Sequence, residues 1–282
     1  MTNPHHEANL IQQGVATMYM RWRDQQTPPV DDLVTEDVLI LGPGIDGVIV
    51  GRRSFDEDAT QQTGQPQKTL APEQIHVGLA AGQRSGWFWA LPSTSTTEPG
   101  TDGDIAERLS GVVSKHDDGR WLIAHAYLSH ALPNEQLQDY QQQPRTVAPV
   151  GDEVMPDAAG LVDLLQRNLG ASRLDLVAPR DDAVVIGSDP GEVFSGTKYR
   201  EIFEPMREQA RQLEANSRFD YPGGIRARIT EDRQTGFVAT NLTATLDGNQ
   251  LPTFRVSWAL TQIAGTFRLV CDHHGFPSSE KA

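Results

Sequence analysis

Asp272 and His274 stand two residues apart in a run, Thr266 to His274, whose apolar pattern predicts a strand. Alternation along a strand sends side chains at i and i+2 to the same face, so the two are neighbours. A carboxylate that holds an imidazole in one tautomer makes a general base. The same spacing also suits a local ion pair at a strand end or a domain interface. Strict alternation places Arg268 and Val270 on the face of Asp272 and His274, with Phe267, Leu269, Cys271 and His273 on the other.

Other residue types could bind rather than react. Trp87 and Trp89 project from one face of their strand and could floor an apolar pocket, although aromatic pairs at period two also suit a core. Arg108 and Arg255 occupy matching strand positions, where a buried guanidinium needs a carboxylate or carbonyl partner; an ion pair is the simpler expectation and an anion clamp the alternative. His125 and Tyr127 alternate with Trp121 and Ile123, away from Leu122, Ala124, Ala126 and Leu128, and read as core or interface. Cys271, the only cysteine, sits in a strand-like apolar run and suits a small buried hydrophobe. Neither His5-His6 nor His273-His274 has carboxylates at ligand spacing beyond Asp272, so no metal is expected. The glycines of Gly44-Ile-Asp-Gly-Val-Ile-Val-Gly51 punctuate a hairpin rather than open a helix, and no phosphate cofactor is indicated.

The elements that must position these residues come twice. Asp37-Val-Leu-Ile-Leu-Gly42, with Gly51 nine positions on, returns as Asp182-Ala-Val-Val-Ile-Gly187 with Gly196. Arg108-Leu-Ser-Gly-Val-Val-Ser-Lys and Trp121-Leu-Ile-Ala-His125 return as Arg255-Val-Ser-Trp-Ala-Leu-Thr-Gln and Phe267-Arg-Leu-Val-Cys271. One fold used twice follows. In the repeat, Phe237 and Ala239 stand opposite Trp87 and Trp89. Ile11, Val15, Met18, Tyr19 and Trp22 form the stripe of an opening helix, and Leu161, Leu164, Leu165 and Leu169 repeat it. Pro28-Pro29 ends the first helix, and Asp31 to Val34 reads as a short helical turn. A helix is expected near 54–62, and a longer one from Tyr199 to Glu214 that Pro205 should interrupt. Strands are expected at 75–79, 85–91, 105–115 and 120–129, then at 225–229, 236–246, 252–262 and 266–274. Helices grouped before a run of antiparallel strands indicate an α+β fold. The expected division is a first domain over 1–132, a polar linker over 133–156 and a second domain over 157–282.

The 282 residues leave room for two such units. A formal charge of -14 opposes binding to phosphate backbones, so nucleic acid is not an expected partner. No apolar run approaches the ~20 residues that span a bilayer, and the N-terminus lacks the pattern of a secretory signal, so the expected setting is cytoplasmic, with no membrane partner.

The order of elements, Gly42 and Gly51 around the hairpin, Arg108-Leu-Ser-Gly-Val-Val and Gly119-Arg-Trp-Leu-Ile-Ala-His-Ala-Tyr-Leu-Ser129 resemble the SnoaL-like branch of the nuclear-transport-factor-2-like superfamily. Phe254-Arg-Val-Ser-Trp-Ala-Leu and Phe267-Arg-Leu-Val-Cys-Asp-His-His-Gly carry the same marks in the second half. The resemblance implies two tandem cone-shaped, cystatin-like domains, each with helices packed on a curved antiparallel sheet, paired within the chain as a pseudo-dimer; further homo-oligomerisation stays open. It also implies a cavity in each cone, with Asp272 and His274 pointing into the second. The base of the ketosteroid isomerase mechanism would fall at Gly42 and Gly187, and its neutral acid at Gly111 and Ser257, so that mechanism is not expected in either domain. Its tyrosine would fall near Met18 and Tyr19. The resulting expectation is a small, largely apolar ligand in one or both cones, with Tyr19, Trp87, Trp89, Phe237 and Arg255 as contacts. The alternatives are a cyclase, dehydratase or hydrolase using Asp272 and His274, and a non-catalytic interaction module.

Overall fold

A computed structural model describes residues 3–24, 33–61, 70–91, 107–136, 140, 146–170 and 172–278. In the first half, helix α1 (Pro4–Asp24) is followed by β1 (Val34–Leu41), β2 (Val48–Val50), α2 (Arg52–Gln61), β3 (Ile75–Leu79), β4 (Ser85–Ala90), β5 (Glu107–Lys115) and β6 (Trp121–His130). The second half runs β7 (Glu153–Val154), α3 (Ala159–Arg167), α4 (Arg173–Leu176), β8 (Val184–Ile186), β9 (Val193–Ser195), α5 (Gly196–Phe203) and α6 (Arg207–Ala215). It ends with β10 (Ser217–Asp220), β11 (Ile225–Ile229), β12 (Thr235–Leu246), β13 (Asn249–Gln250), β14 (Phe254–Ile263) and β15 (Thr266–Gly275). Pro205 breaks the long helix as expected: a 3-10 turn over Glu204–Met206 separates α5 from α6. Of the short turn expected at Asp31 to Val34, residues 31 and 32 lie outside the described residues, and Val34 already belongs to β1.

The strands form two sheets of the same plan. The first has the order β2-β1-β6-β5-β4-β3, and the second runs β7-β11-β12-β14-β15-β8-β9 with β10 and β13 also on β12. In both, the short hairpin joins the last long strand in parallel, β1 on β6 and β8 on β15. The long strands themselves are antiparallel. Within 146–156, a stretch whose composition promises little burial, Val150 is buried and β7 adds a parallel edge to β11. Among the described residues no helix is long and apolar enough to cross a membrane.

Each half has its own core. Ile11, Val15, Met18, Tyr19 and Trp22 of α1 pack with Phe55 of α2 and with Phe88, Leu109, Ala126 and Leu128 of the first sheet. Leu161, Leu165 and Tyr199 pack with Val238, Val256, Trp258 and Leu269 of the second. A third layer lies between the sheets, where Leu39, Leu41, Trp87, Val112 and Tyr127 meet Val184, Ile186, Phe237, Ala259 and Cys271.

Strict alternation fails on the last long strand of each sheet, and at the same place. On β6, Val112 faces His125 but Val113 faces Ile123, which leaves Ala124 as an extra residue; on β15, Ala259 faces Cys271 and Leu260 faces Leu269, which leaves Val270 extra. A β-bulge of this kind shifts the facing pattern by one. Trp121 and Ile123 therefore join Ala126 and Leu128 in the first core, while His125 and Tyr127 turn to the layer between the sheets. Leu269 joins Asp272 on the cup side of the second sheet, and Val270 and Cys271 face the layer. The face assignment by simple alternation is thus corrected upstream of each bulge and holds downstream of it.

Two buried arginines tie the sheets together reciprocally. Arg108 of the first sheet donates to the carbonyls of Gly187, Ser188 and Asp189 in the second hairpin, and to that of His130. Arg255 of the second sheet donates to those of Gly42, Gly44 and Ile45 in the first hairpin. The expected ion pairs are replaced by backbone carbonyls, whose several lone pairs satisfy a planar fork of donors.

Candidate functional site

The chemistry-bearing cluster lies in the second cup, where β15 delivers Asp272 and His274 downstream of its bulge. Asp272 is fully buried. Its Oδ1 accepts the Trp258 indole N–H at 2.8 Å and lies 2.5 Å from His274 Nε2. Its Oδ2 is 3.1 Å from Arg173 Nη1 of α4. Arg173 in turn donates through Nε to the Tyr199 hydroxyl of α5 at 3.1 Å, and its Nη1 lies 3.2 Å from His274 Nε2. Burial by itself would push the Asp272 carboxyl up. The charges of His274 and Arg173, with hydrogen bonds from His274 and Trp258, outweigh burial and hold it below the usual carboxylate range. Asp272 is therefore an anion that accepts from Trp258 and His274 and pairs with Arg173, and its partners His274 and Arg173 meet the cavity.

That cavity has a volume of about 260 Å³. Phe194, Phe203, Phe254 and Phe276 give it aromatic walls, and Arg173, Tyr199, Glu192 and His274 supply the polar groups. Glu192 covers the place that a side chain at Gly187 would take: a Cβ there would stand 2.2 Å from Glu192 Oε2. The position at which the isomerase base was looked for thus carries no side chain of its own, and a hairpin carboxylate lies over it. Arg173, Tyr199 and Glu192 escaped the sequence reading. Arg173 lies 99 positions before Asp272, and no local spacing joins them; only the repeat, by aligning the start of each hairpin region, narrows the search.

The first cup differs. Tyr19, Phe55, Phe88, Leu109 and Leu128 fill it, and the Tyr19 hydroxyl donates to the buried Glu107. Lys115 and the Trp121 indole bond the buried Glu7 at its rim. Tyr19 is thus a core residue that satisfies a buried acid. Trp87 is buried in the layer between the sheets and donates its N–H to the Asp182 carbonyl. Trp89 stacks on His76 with ring centres 3.8 Å apart. Phe237 stacks on His125 at 4.5 Å, and Arg255 is spent on hairpin carbonyls. None of these five lines the cavity of the second cup. Burial pushes the Cys271 thiol up to about 12, which keeps it an inert interior group. Among the described residues no group of three or more His, Cys, Asp or Glu side chains could hold a metal ion.

Comparison with known proteins agrees with this architecture. Solved structures similar to the chain include a domain of unknown function with a cystatin-like fold from Nostoc punctiforme, at 16% identity and a TM-score of 0.38, covering 60% of this chain and 98% of that one. Others are a nuclear-transport-factor-2-like protein of unknown function from Pseudomonas putida (11% identity, TM-score 0.35, 43% of this chain and 87% of that one) and a ketosteroid isomerase-like protein from Erwinia carotovora (14%, 0.32, 45% and 98%). No curated protein matches the chain. The family model described as "SnoaL-like domain" matches twice, over residues 11–133 and 171–279. Two matched segments, two sheets of one plan and two bulges at one position lead to the same statement: the chain belongs to the SnoaL-like family and carries its domain in tandem.

Proposed function

We propose that the second domain binds a small, largely apolar molecule carrying one polar group, and that the first domain, its cup filled, serves as the other half of an intramolecular pseudo-dimer. The observation that supports this reading is the aromatic-walled cavity closed on one side by Arg173, Tyr199 and His274. Apolar walls with a few convergent polar groups are the usual make-up of a ligand site. At about 260 Å³ the cavity suits a molecule of one or two rings.

A second reading is favoured by one further contact. In a neutral His274 that donates through Nε2 to Asp272, 2.5 Å away, Nδ1 would carry the lone pair, and the pair would have the composition of an oriented general base. In that reading a bound molecule gives up a proton to His274 while Arg173 and Tyr199 stabilise the charge that develops.

Thermal-shift screening of small cyclic ketones, lactones and alcohols tests both readings. A binder should raise Tm with concentration. Phe254→Ala should weaken its binding about tenfold or more through lost apolar contact. If no compound of the panel binds, or if a binder is indifferent to Phe254→Ala and His274→Ala alike, the cavity is not the site. Chemical conversion of a binder that persists in His274→Ala would sink the general-base reading and leave binding intact.

A further inference from the structure

A larger cavity than that of the second cup lies between the two sheets, with a volume of about 570 Å³. Its floor is apolar: Leu122 and Ala124, brought there by the bulge on β6, and Phe237 of β12. The wall contains Arg52, Thr35 and Ser114. This opening has no counterpart across the pseudo-twofold axis. There Trp87 lies over Gly78, its cross-strand partner, donates to the Asp182 carbonyl and is capped by Arg180, whose guanidinium is 5.5 Å from the indole. In the second half the pair Gly78 and Trp87 becomes Arg228 and Phe237, and the cleft stays open.

Two features of the wall say what would fill it. Thr35 Oγ1 is buried with no hydrogen-bond partner among the described residues. A buried hydroxyl without a partner costs free energy until an acceptor reaches it. Beside it, Arg52 and Arg228 are more buried than the carboxylates they pair with. The Arg52 side chain is 23% exposed whereas Glu36, 3.4 Å away, is 85% exposed. An ion pair with one member in open water is worth little and exchanges readily for a desolvated anion. Lys115 is held by the buried Glu7, Arg228 by Asp37 and Glu153, and Arg120 by Asp118; the pair of Arg52 with Glu36 has the most exposed carboxylate of these, so Arg52 is the cation best placed to meet a ligand's anion.

We propose that this interdomain cleft is a second binding site, distinct from the cavity of the second cup, and that it takes a small organic acid whose carboxylate meets Arg52 and Thr35 while its apolar body lies on Leu122, Ala124 and Phe237. The site exists only because two domains are joined, and the plugged half across the axis shows that the packing tolerates closure.

Benzoate is a suitable probe, with benzyl alcohol and benzylamine as neutral and cationic controls, on the full chain; because Arg173 of the second cup could also attract the anion, Phe254→Ala, which weakens only that cavity, serves as a parallel background. The expected result is saturable benzoate binding in the micromolar to millimolar range, about tenfold tighter than benzyl alcohol and weakened by salt. Thr35→Val and Arg52→Gln should each weaken it about tenfold, and Ala124→Phe should abolish it by filling the floor. Amide signals of Ala124, Ser114 and Thr230 should shift on titration. No saturation up to about 10 mM overturns the site. Binding unchanged in Thr35→Val and Ala124→Phe, or equal affinity for the alcohol or the amine, overturns the assignment. Should Ala124→Phe fail to fold, the near-isosteric Thr35→Val decides. Benzoate binding that Thr35→Val weakens and Phe254→Ala leaves unchanged belongs to the cleft and stands independently of any ligand found for the second cup, whereas the reverse pattern assigns it to the second cup and overturns the proposal.

Discussion

At the residue scale the Asp272 cluster does two jobs, and they can be separated. Its carboxylate accepts from the Trp258 indole and His274 and pairs in charge with Arg173 inside a core that offers them little water. Asp272→Ala leaves those donors facing an empty anion site and should destabilise the protein by about 3–5 kcal/mol, read from urea unfolding at pH 7. Asp272→Asn keeps an acceptor for the indole and should cost about 1–2 kcal/mol while removing the charge that orients His274. If the two substitutions cost the same, the charge is irrelevant to folding and the cluster is held by shape alone. The Asp272 and His274 pair was legible in the sequence because a strand of known direction forces i and i+2 together. Arg173, Tyr199 and Glu192 were not, because they reach the cavity from α4, α5 and the hairpin by tertiary packing that leaves no local spacing. The same limit applies to Trp87 and Arg255: residue type announced a large or charged group needing a partner, but which side of the sheet supplies it depends on how the sheets meet.

At the scale of elements, most strands and helices follow from periodicity and punctuation. Residues 75–79 and 225–229 form strands over the spans that their β-branched and apolar pattern marks, and Pro205 interrupts its helix. Periodicity could not show the extra residue at Ala124 and Val270, since an inserted residue among small apolar neighbours leaves the pattern unchanged. The hairpins, whose glycines looked like turn punctuation alone, turn out to be docking elements: each hands its carbonyls to an arginine of the other sheet. Arg255→Met should therefore strand the carbonyls of Gly42, Gly44 and Ile45 and cost about 3–5 kcal/mol, whereas Arg255→Lys, which cannot fork, should cost about half of that. The signature that separates docking from local stability is in hydrogen exchange. Amides of the distant hairpin, Gly42 to Val48, should lose protection in Arg255→Met while those of β12, on the same sheet as the mutation, should not. Uniform loss in both would mean that the arginine stabilises its own sheet.

At the scale of the whole molecule the layer between the sheets has an approximate twofold character: Tyr127 and His273, equivalent in the repeat, pack with tilted rings 4.2 Å apart, while each arginine reaches the opposite hairpin. An isologous contact of this kind is what two identical chains would make, here between unequal halves of one. Two histidines are sealed into it. His125 donates through Nδ1 to the Leu39 carbonyl and meets the Ser257 hydroxyl through Nε2, and His273 lies between Ser110 and Ser129. Burial lowers His125 to about 4, against a smaller opposing effect of the Leu39 carbonyl, and burial with the nearby Arg108 charge lowers His273 further below its ordinary value. Both are neutral in the folded layer and take up protons more readily in the unfolded chain. Their contribution to stability is complete above about pH 6.5 and is lost as pH falls toward about 4, on the order of 3 kcal/mol for His125 alone. A chain cut by a protease at a site engineered between Tyr140 and Thr146 turns this into a binding measurement. At pH 7 the two fragments should elute together, held by the buried layer and the arginine forks. Acidification from pH 6.5 toward 4.5 should release them, and His125→Gln should shift release to lower pH because one of the two protonation sites is gone. Fragments that separate at pH 7, or that stay together with the same pH dependence in His125→Gln, would show that the layer is not what joins the halves or that His125 does not sense acid within it.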